Sequence, residues 1–300
     1  MEGSPHGGRR SLSKQGRTRT LGVRVLAGAV LIPIALLVNH AGGLLFAVFT
    51  SVLAGCGSYE FYRMFARRGL GPSTAVGVAA SVCVCFSFFL GGAGAAALVL
   101  TVVLGVVLTE RLIRGVRDTF VIGAGITILG ALYTGWLLGC FILLRNSGYA
   151  SGGEALGTMA GTGRQLVYLV LALTWSYDSI AYIAGSSLGR HKLFARVSPS
   201  KTVEGTVAGL VACVAAALVS RATFASFLGV GHAVFLGLVV GAAAQGGDLI
   251  ESMIKRSTGT KDSSHVIPGH GGILDRFDSL LFTGPVLYLY IRAVLEWNRL

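Results

Sequence analysis

The chain has 300 residues, 53% of them hydrophobic and 13% charged, with 44 glycines and a formal net charge of +12. Soluble globular domains carry roughly 25% charged residues, so an ordinary soluble domain is excluded and a polytopic integral membrane protein is indicated, in which small residues let helices approach closely. The excess of Lys and Arg then reports orientation in the bilayer before any partner, and no nucleic-acid ligand is implied.

Residues 1–20 are polar, Gly/Ser-rich and basic, with Arg9, Arg10, Lys14, Arg17 and Arg19. They are expected to form a disordered arm, open to attraction by anionic headgroups. The run that follows is long enough to span, and no small-residue cleavage site followed by a soluble domain is visible, so a cleaved signal peptide is not expected. Spanning helices need about 20 mostly apolar residues. Candidate spans lie at 21–38, 44–62, 75–90, 95–108, 120–144, 166–188, 203–218, 230–250 and 280–295. The third and fourth form a hairpin around Gly91-Gly92-Ala93-Gly94, and 120–144 is either tilted or broken near Gly130 or Gly135. The fold class is therefore an all-α polytopic membrane protein, with about nine transmembrane helices by that length rule in a single membrane domain over 21–300.

Placing the N-terminus inside puts the basic connections 63–72, 109–118, 189–202 and 251–278 in the cytoplasm. The connections 39–43, 91–94, 145–165 and 219–229 then fall outside and carry few cations, as the positive-inside rule requires. The five cysteines all lie in apolar runs without a histidine partner, which describes small buried residues rather than a disulfide framework or a metal site.

Of thirteen carboxylates, Asp178, Glu204, Asp248, Glu251, Asp262, Asp275 and Asp278 crowd the C-terminal part. Asp178 sits inside an apolar run, where ionisable groups are costly and mark functional cavities. Asp248 and Glu251 are spaced three apart, as are Asp275 and Asp278, so each pair can share a helix face. Between them lie Ser252, Lys255, Arg256, Lys261 and Gly269-His270-Gly271-Gly272, with Arg276 following. Mg²⁺ binds through one or two carboxylates plus phosphate oxygens, Lys and Arg clamp phosphate charge, and glycines let backbone amides approach. The mixture suggests a metal–phosphate site in a cytoplasm-facing polar cavity. Interfacial salt bridges are the plainer alternative for Asp248, Asp275 and Asp278. Glu60 reads either as an acid reaching the interface or as part of the cavity wall, and the cations at 63–68 and 111–117 read as topology signals.

The whole stretch from Ser252 to Asp278, with Lys255-Arg256, Lys261-Asp262 and Pro268-Gly-His270-Gly271-Gly272-Ile-Leu-Asp275-Arg276-Phe-Asp278, resembles the signature of phosphatidate cytidylyltransferases. A second block agrees: Asp178-Ser-Ile-Ala181-Tyr182, Gly185, Gly189-Arg190-His191-Lys192 and Ser198-Pro199-Ser-Lys201-Thr202-Val-Glu204-Gly205. It departs from the family at Ser179-Ile180, where Thr-Gly is usual, and at Val203, where Trp is usual. The resemblance is firm over 175–290. It implies that CTP and phosphatidic acid give CDP-diacylglycerol and pyrophosphate at the cytoplasmic side of an inner or plasma membrane, with Mg²⁺ and a second cation such as K⁺. By matching positions, Asp248 and Asp275 hold the metal, with Asp178 and Asp278 as outer ligands. Lys255, Arg256, Lys261 and Arg276 contact phosphates. Ser198, Lys201, Thr202 and Glu204 line the substrates with Ser252, His270, Gly271 and Gly272. Ser198 before Pro199 also reads as a helix N-cap. The family further implies a homodimer.

Two other functions stay open on the sequence. A cytidylyltransferase acting on a different lipid phosphate would have the same charges. A transporter would place its site near the midplane between repeats, whereas here the charges gather at one face.

Overall fold

The computed structural model describes residues 31–115, 119–147, 159–264 and 271–295. The basic arm expected over 1–20, the start of the first expected span and His270 lie outside those residues. Within them the chain forms α1 (Leu31–Ala41), α2 (Gly43–Ala66), α3 (Thr74–Ile113), α4 (Phe120–Asn146), α5 (Met159–Ser187), α6 (Val203–Thr223), α7 (Val230–Ser257) and α8 (Leu274–Tyr290). Six of these, α2 to α7, are long and apolar enough to cross a membrane. A helix satisfies its own backbone polar groups, which apolar surroundings require.

The 40 residues of α3 would run about 60 Å as one straight rod, at 1.5 Å per residue. Its two ends nevertheless meet. Ser73 Oγ donates to Glu110 Oε2 at 2.6 Å, and Arg111 donates to the carbonyl of Gly71. The reversal falls at Gly91 and Gly92, where the backbone leaves the helical region and Gly92 has φ 64° and ψ −153°, a conformation open to glycine. By contrast α4 is not broken at Gly130 or Gly135. It absorbs one wider π-turn over Ala131–Trp136 and continues.

Small residues set the helix spacing, as the composition implied. Gly77 of α3 and Gly130 of α4 both face the ring of Tyr62, which a Cβ at either position would overlap. The Tyr62 hydroxyl donates to Thr127 O at 2.7 Å, so a single buried side chain joins α2, α3 and α4. Tyr177 of α5 does the same between Gly209 of α6 and Gly241 of α7. Its hydroxyl donates to Gln245 Oε1 at 2.7 Å.

Two expectations need correction. The all-α reading missed a two-stranded antiparallel hairpin, β1 (Lys192–Phe194) and β2 (Ser198–Thr202), in the basic connection between α5 and α6. Ser198 therefore belongs to a strand and is not a helix N-cap. Thr202 caps α6, its Oγ1 accepting from Gly205 N at 3.1 Å. Second, the connection expected over 251–278 is shorter, because α7 runs on to Ser257. Ser252, Lys255 and Arg256 are helical, with Glu251 and Lys255 paired one turn apart and both cations in the last turn, where the helix dipole favours positive charge.

Candidate active site

Helices α7 and α8 run antiparallel, so residues late in one face residues early in the other. A Cβ on Gly247 would come within 2.5 Å of the Asp278 carbonyl oxygen, and two turns further along α7 Lys255 reaches across. Lys255 Nζ donates to Glu251 Oε2 at 3.1 Å and to Asp275 Oδ1 at 2.7 Å. The other oxygen of Asp275 accepts from Gly272 N at 2.7 Å, Ser263 N at 3.1 Å and Ser263 Oγ at 3.0 Å. Asp275 thus closes the turn onto the start of α8. The glycines are needed there sterically. Gly271 has φ 77°, and a Cβ on it would sit 2.5 Å from Asp275 Oδ2.

Beneath this turn lies Glu60 of α2, only 2% exposed. It accepts from Ser264 Oγ at 2.5 Å, Ile273 N at 3.0 Å and Leu274 N at 2.8 Å, and it shares with Asp275 the single proton of the Ser263 hydroxyl, 3.0 Å away. Those amides belong to the first turn of α8 and would otherwise lack partners. Glu60 is therefore neither an acid snorkelling to the interface nor loosely in a wall. It is the buried post to which Ser263, Ser264 and the start of α8 are tied. Its acidity near the end of an apolar span was the available signal; its partners were not.

The second sequence block arrives at the same end of the bundle. Asp178 of α5 accepts from Ser279 Oγ of α8 at 3.2 Å. Lys201 of β2 is ion-paired with Asp248 of α7, whose other oxygen accepts from Ser252 Oγ at 3.4 Å. Thr206 Oγ1 also reaches Gln245 Oε1 at 3.3 Å. Among the remaining expected residues, Glu204 accepts from Arg190 N at 3.1 Å, His191 N at 3.2 Å and His191 Nδ1 at 2.6 Å, which fixes the entry to the hairpin. Ser198 Oγ lies 3.4 Å from Ser200 Oγ. Arg256 donates to Val197 O at 3.3 Å, tying α7 to the hairpin turn. Lys261 and Arg276 are exposed.

The charges do not balance locally. Asp178, Asp248, Glu251, Asp275 and Asp278 are electrostatic neighbours, and Lys201 and Lys255 are the lysines among them. Glu251, which the resemblance did not place among the metal ligands, is wholly buried and lies against Asp278. Its Oε1 has no hydrogen-bond partner among the described residues. Carboxylates in contact need a proton or a cation between them, so an orphaned buried oxygen in an acidic cluster fits a divalent cation. Among the described residues no three His, Cys, Asp or Glu side chains converge at metal-ligand spacing. An ion here would therefore use one or two carboxylates and complete its shell with phosphate oxygens and water, as Mg²⁺ does.

The sequence profile of the cytidylyltransferase family matches residues 22–294. The chain is 36% identical over 177 residues to a Bacillus subtilis protein named phosphatidate cytidylyltransferase, covering 59% of this chain and 61% of the relative. It is 39% identical over 165 residues to the uncharacterised protein YnbB of Escherichia coli, covering 55% of this chain and 54% of the relative. A Synechocystis protein, also named phosphatidate cytidylyltransferase, is 30% identical over 291 residues, covering 91% of this chain and 97% of the relative. The matches thus span less than two thirds of the first two relatives and nearly all of the third.

Proposed function

This chain belongs to the cytidylyltransferase family, and we propose that it converts CTP and phosphatidic acid into CDP-diacylglycerol and pyrophosphate. The observation that carries the proposal is the meeting of the two motif blocks, Lys201 with Asp248 and Lys255 with Asp275, at one end of the helical bundle. Relatives bearing that activity in their names match 59% and 91% of the chain.

The chemistry asks little of a general base. The lipid phosphate is already anionic; one of its oxygens attacks the α-phosphorus of CTP, a new P–O bond forms, the α–β phosphoanhydride breaks, and pyrophosphate leaves with the electron pair. The difficulty lies in bringing two polyanions together and in stabilising the charge on transfer. Lys201, Lys255, Arg256, Lys261 and Arg276 supply the positive charge. Asp248 and Asp275 are the pair assigned to Mg²⁺, with Asp178 and Asp278 nearby as outer acceptors and K⁺ as a second ion. When bound, Mg²⁺ would neutralise phosphate oxygens and orient the phosphates for in-line displacement. Asp275 is held by Lys255, Ser263 N and Gly272 N, so its part in metal binding requires Lys255 to swing towards a phosphate. His270, Gly271 and Gly272 are assigned to the phosphate turn, and Ser198, Thr202, Glu204 and Ser252 to the substrate-facing wall.

The proposed topology is one membrane domain over 21–300. It crosses the bilayer nine times when the halves of α3 are counted separately and α1 and α8 are included, in an inner or plasma membrane. The polar end, with its basic connections, faces the cytoplasm. A homodimer is the expected assembly, checked by crosslinking in membranes.

The test is an assay of membranes containing the protein with phosphatidic acid, CTP and Mg²⁺. Pyrophosphate release that needs both substrates, with formation of CDP-diacylglycerol, is the expected outcome. Absence of release from well-folded protein, or release with a different lipid phosphate alone, overturns it.

A further inference from the structure

The β1–β2 hairpin has a face that the proposed reaction does not use. Arg190, Lys192 and Arg196 are all exposed, and among the described residues none forms an ion pair. His191, between them, is paired with Glu204, and Lys201, on β2, turns inward to Asp248. The cations left outside flank an aromatic ring: Phe194 is 53% exposed. Lys192 and Phe194 are both exposed while Leu193 between them is half-buried.

The height of this face is fixed by the chain. Val203 N donates to His191 O at 2.9 Å, which holds β1 against the first residue of α6. From there Val203, Val207 and Val211 form an exposed apolar stripe down α6, at the four-residue spacing that keeps side chains on one helix face. On the other side α5 carries exposed Tyr182 and Ile183 near its end, and exposed Leu188 follows it. The hairpin thus stands where two membrane-length helices leave their apolar surroundings. At that depth an aromatic ring beside long basic side chains is the pattern that settles at a headgroup layer, ring down and cations up.

We propose that the β1–β2 hairpin is a membrane-surface contact: Phe194 enters the headgroup–acyl boundary, and Arg190, Lys192 and Arg196 gather anionic lipid phosphates next to Lys201 and Asp248. The idea rests on the membrane-spanning reading of α5 and α6, and its link to catalysis rests on the cytidylyltransferase reading. The occupant is the anionic headgroup of the surrounding bilayer; charge complementarity favours it over a neutral surface, and continuity with the exposed Val203–Val211 stripe places it.

Two measurements on the full-length protein, reconstituted in phosphatidylcholine vesicles with or without phosphatidylglycerol, test it. In the first, the extra emission of Phe194→Trp over the parent is exposed to lipids brominated near the headgroup. Quenching is expected, stronger with phosphatidylglycerol present. An unquenched tryptophan overturns the proposal, whatever the activity. In the second, Lys192→Gln and Arg196→Gln are assayed at low salt. Each is expected to raise the apparent KM for phosphatidic acid about five-fold, the equivalent of about 1 kcal/mol per basic residue at an anionic surface. Their kcat and KM for CTP should be unchanged. A rise in the KM for CTP instead assigns the cations to the nucleotide and overturns the lipid role. An inactive parent would remove the cytidylyltransferase reading while leaving the quenching result to stand.

Discussion

Lys255 on α7 donates to Asp275 on α8 at 2.7 Å, and through Glu251 at 3.1 Å the same ammonium also holds its own helix. One cation thus neutralises two carboxylates from different elements in a mostly buried position. Removing it should leave both acids uncompensated. Lys255→Met is expected to lower stability by about 3–5 kcal/mol, the usual result of breaking a buried pair, read as a fall in the thermal midpoint in detergent. Adding Glu251→Gln to that variant should recover part of the loss. Equal stability of parent and single variant would show that Lys255 is not the counter-ion.

Glu60→Ala should act at a distance in sequence. It strips the acceptor from Ile273 N and Leu274 N and from the hydroxyls of Ser263 and Ser264. Loss of a helix cap costs about 0.5–2 kcal/mol, and each buried donor left unpaired about 1–3 kcal/mol. Glu60→Gln keeps one acceptor oxygen and should be the milder change. Because Ile273 and Leu274 lead directly into Asp275, the activity loss is expected in kcat more than in the KM for either substrate. Proteolysis between α7 and α8, compared between variants, offers a check that needs no activity.

Alanine at two glycines of the chain should have opposite effects. Gly272 is walled in by Ser263 and Glu60, so a methyl group there must displace the carboxylate that ties the turn. Gly272→Ala is expected to cost several-fold in activity and to destabilise the protein in the manner of overpacking, by about 1–3 kcal/mol. Gly246 lies within α7, and a methyl group added there would meet nothing within 4 Å. Gly246→Ala should leave stability unchanged or raise it, by up to about 1 kcal/mol of helix propensity. Thermal unfolding of the pair side by side decides the matter.

Asp248 and Asp275 should differ in their response to amide substitution. Asp248 is exposed enough to exchange Lys201 for another cation, so Asp248→Asn is expected to raise the Mg²⁺ concentration needed for half-maximal rate while the fold stays intact. Asp275→Asn also places an amide near the donors Gly272 N and Ser263 N, and should lose both activity and stability. Full activity of Asp275→Asn at low Mg²⁺ would remove that residue from the metal site.

The apolar runs were legible because bilayer-length hydrophobic segments leave few alternatives. The reversal at Gly91-Gly92 was legible because glycine pairs interrupt them. The motif carboxylates were visible through their company of cations. The hairpin was not, since strands this short that alternate cations with Pro199 carry no period-two apolar signal. The continuation of α7 past Glu251 was hidden because hydropathy marks only the apolar part of a helix, whereas a paired Glu251 and Lys255 extend it beyond that run. Glu60 could be suspected but not assigned. Its partner Ser263 is 203 residues away, and spacing along the sequence contains nothing about a contact of that range.

Ser263 Oγ stands 3.0 Å from Glu60 Oε2 and 3.0 Å from Asp275 Oδ2, and a hydroxyl has one proton to give. It can answer only one of the two acids at a time. Were a cation to draw on Asp275, the hydroxyl would point its proton at Glu60 and hold the post beneath more firmly; without one it could turn back to Asp275. A single rotating bond, with no movement of the helices, would then respond to a change at the acid above it.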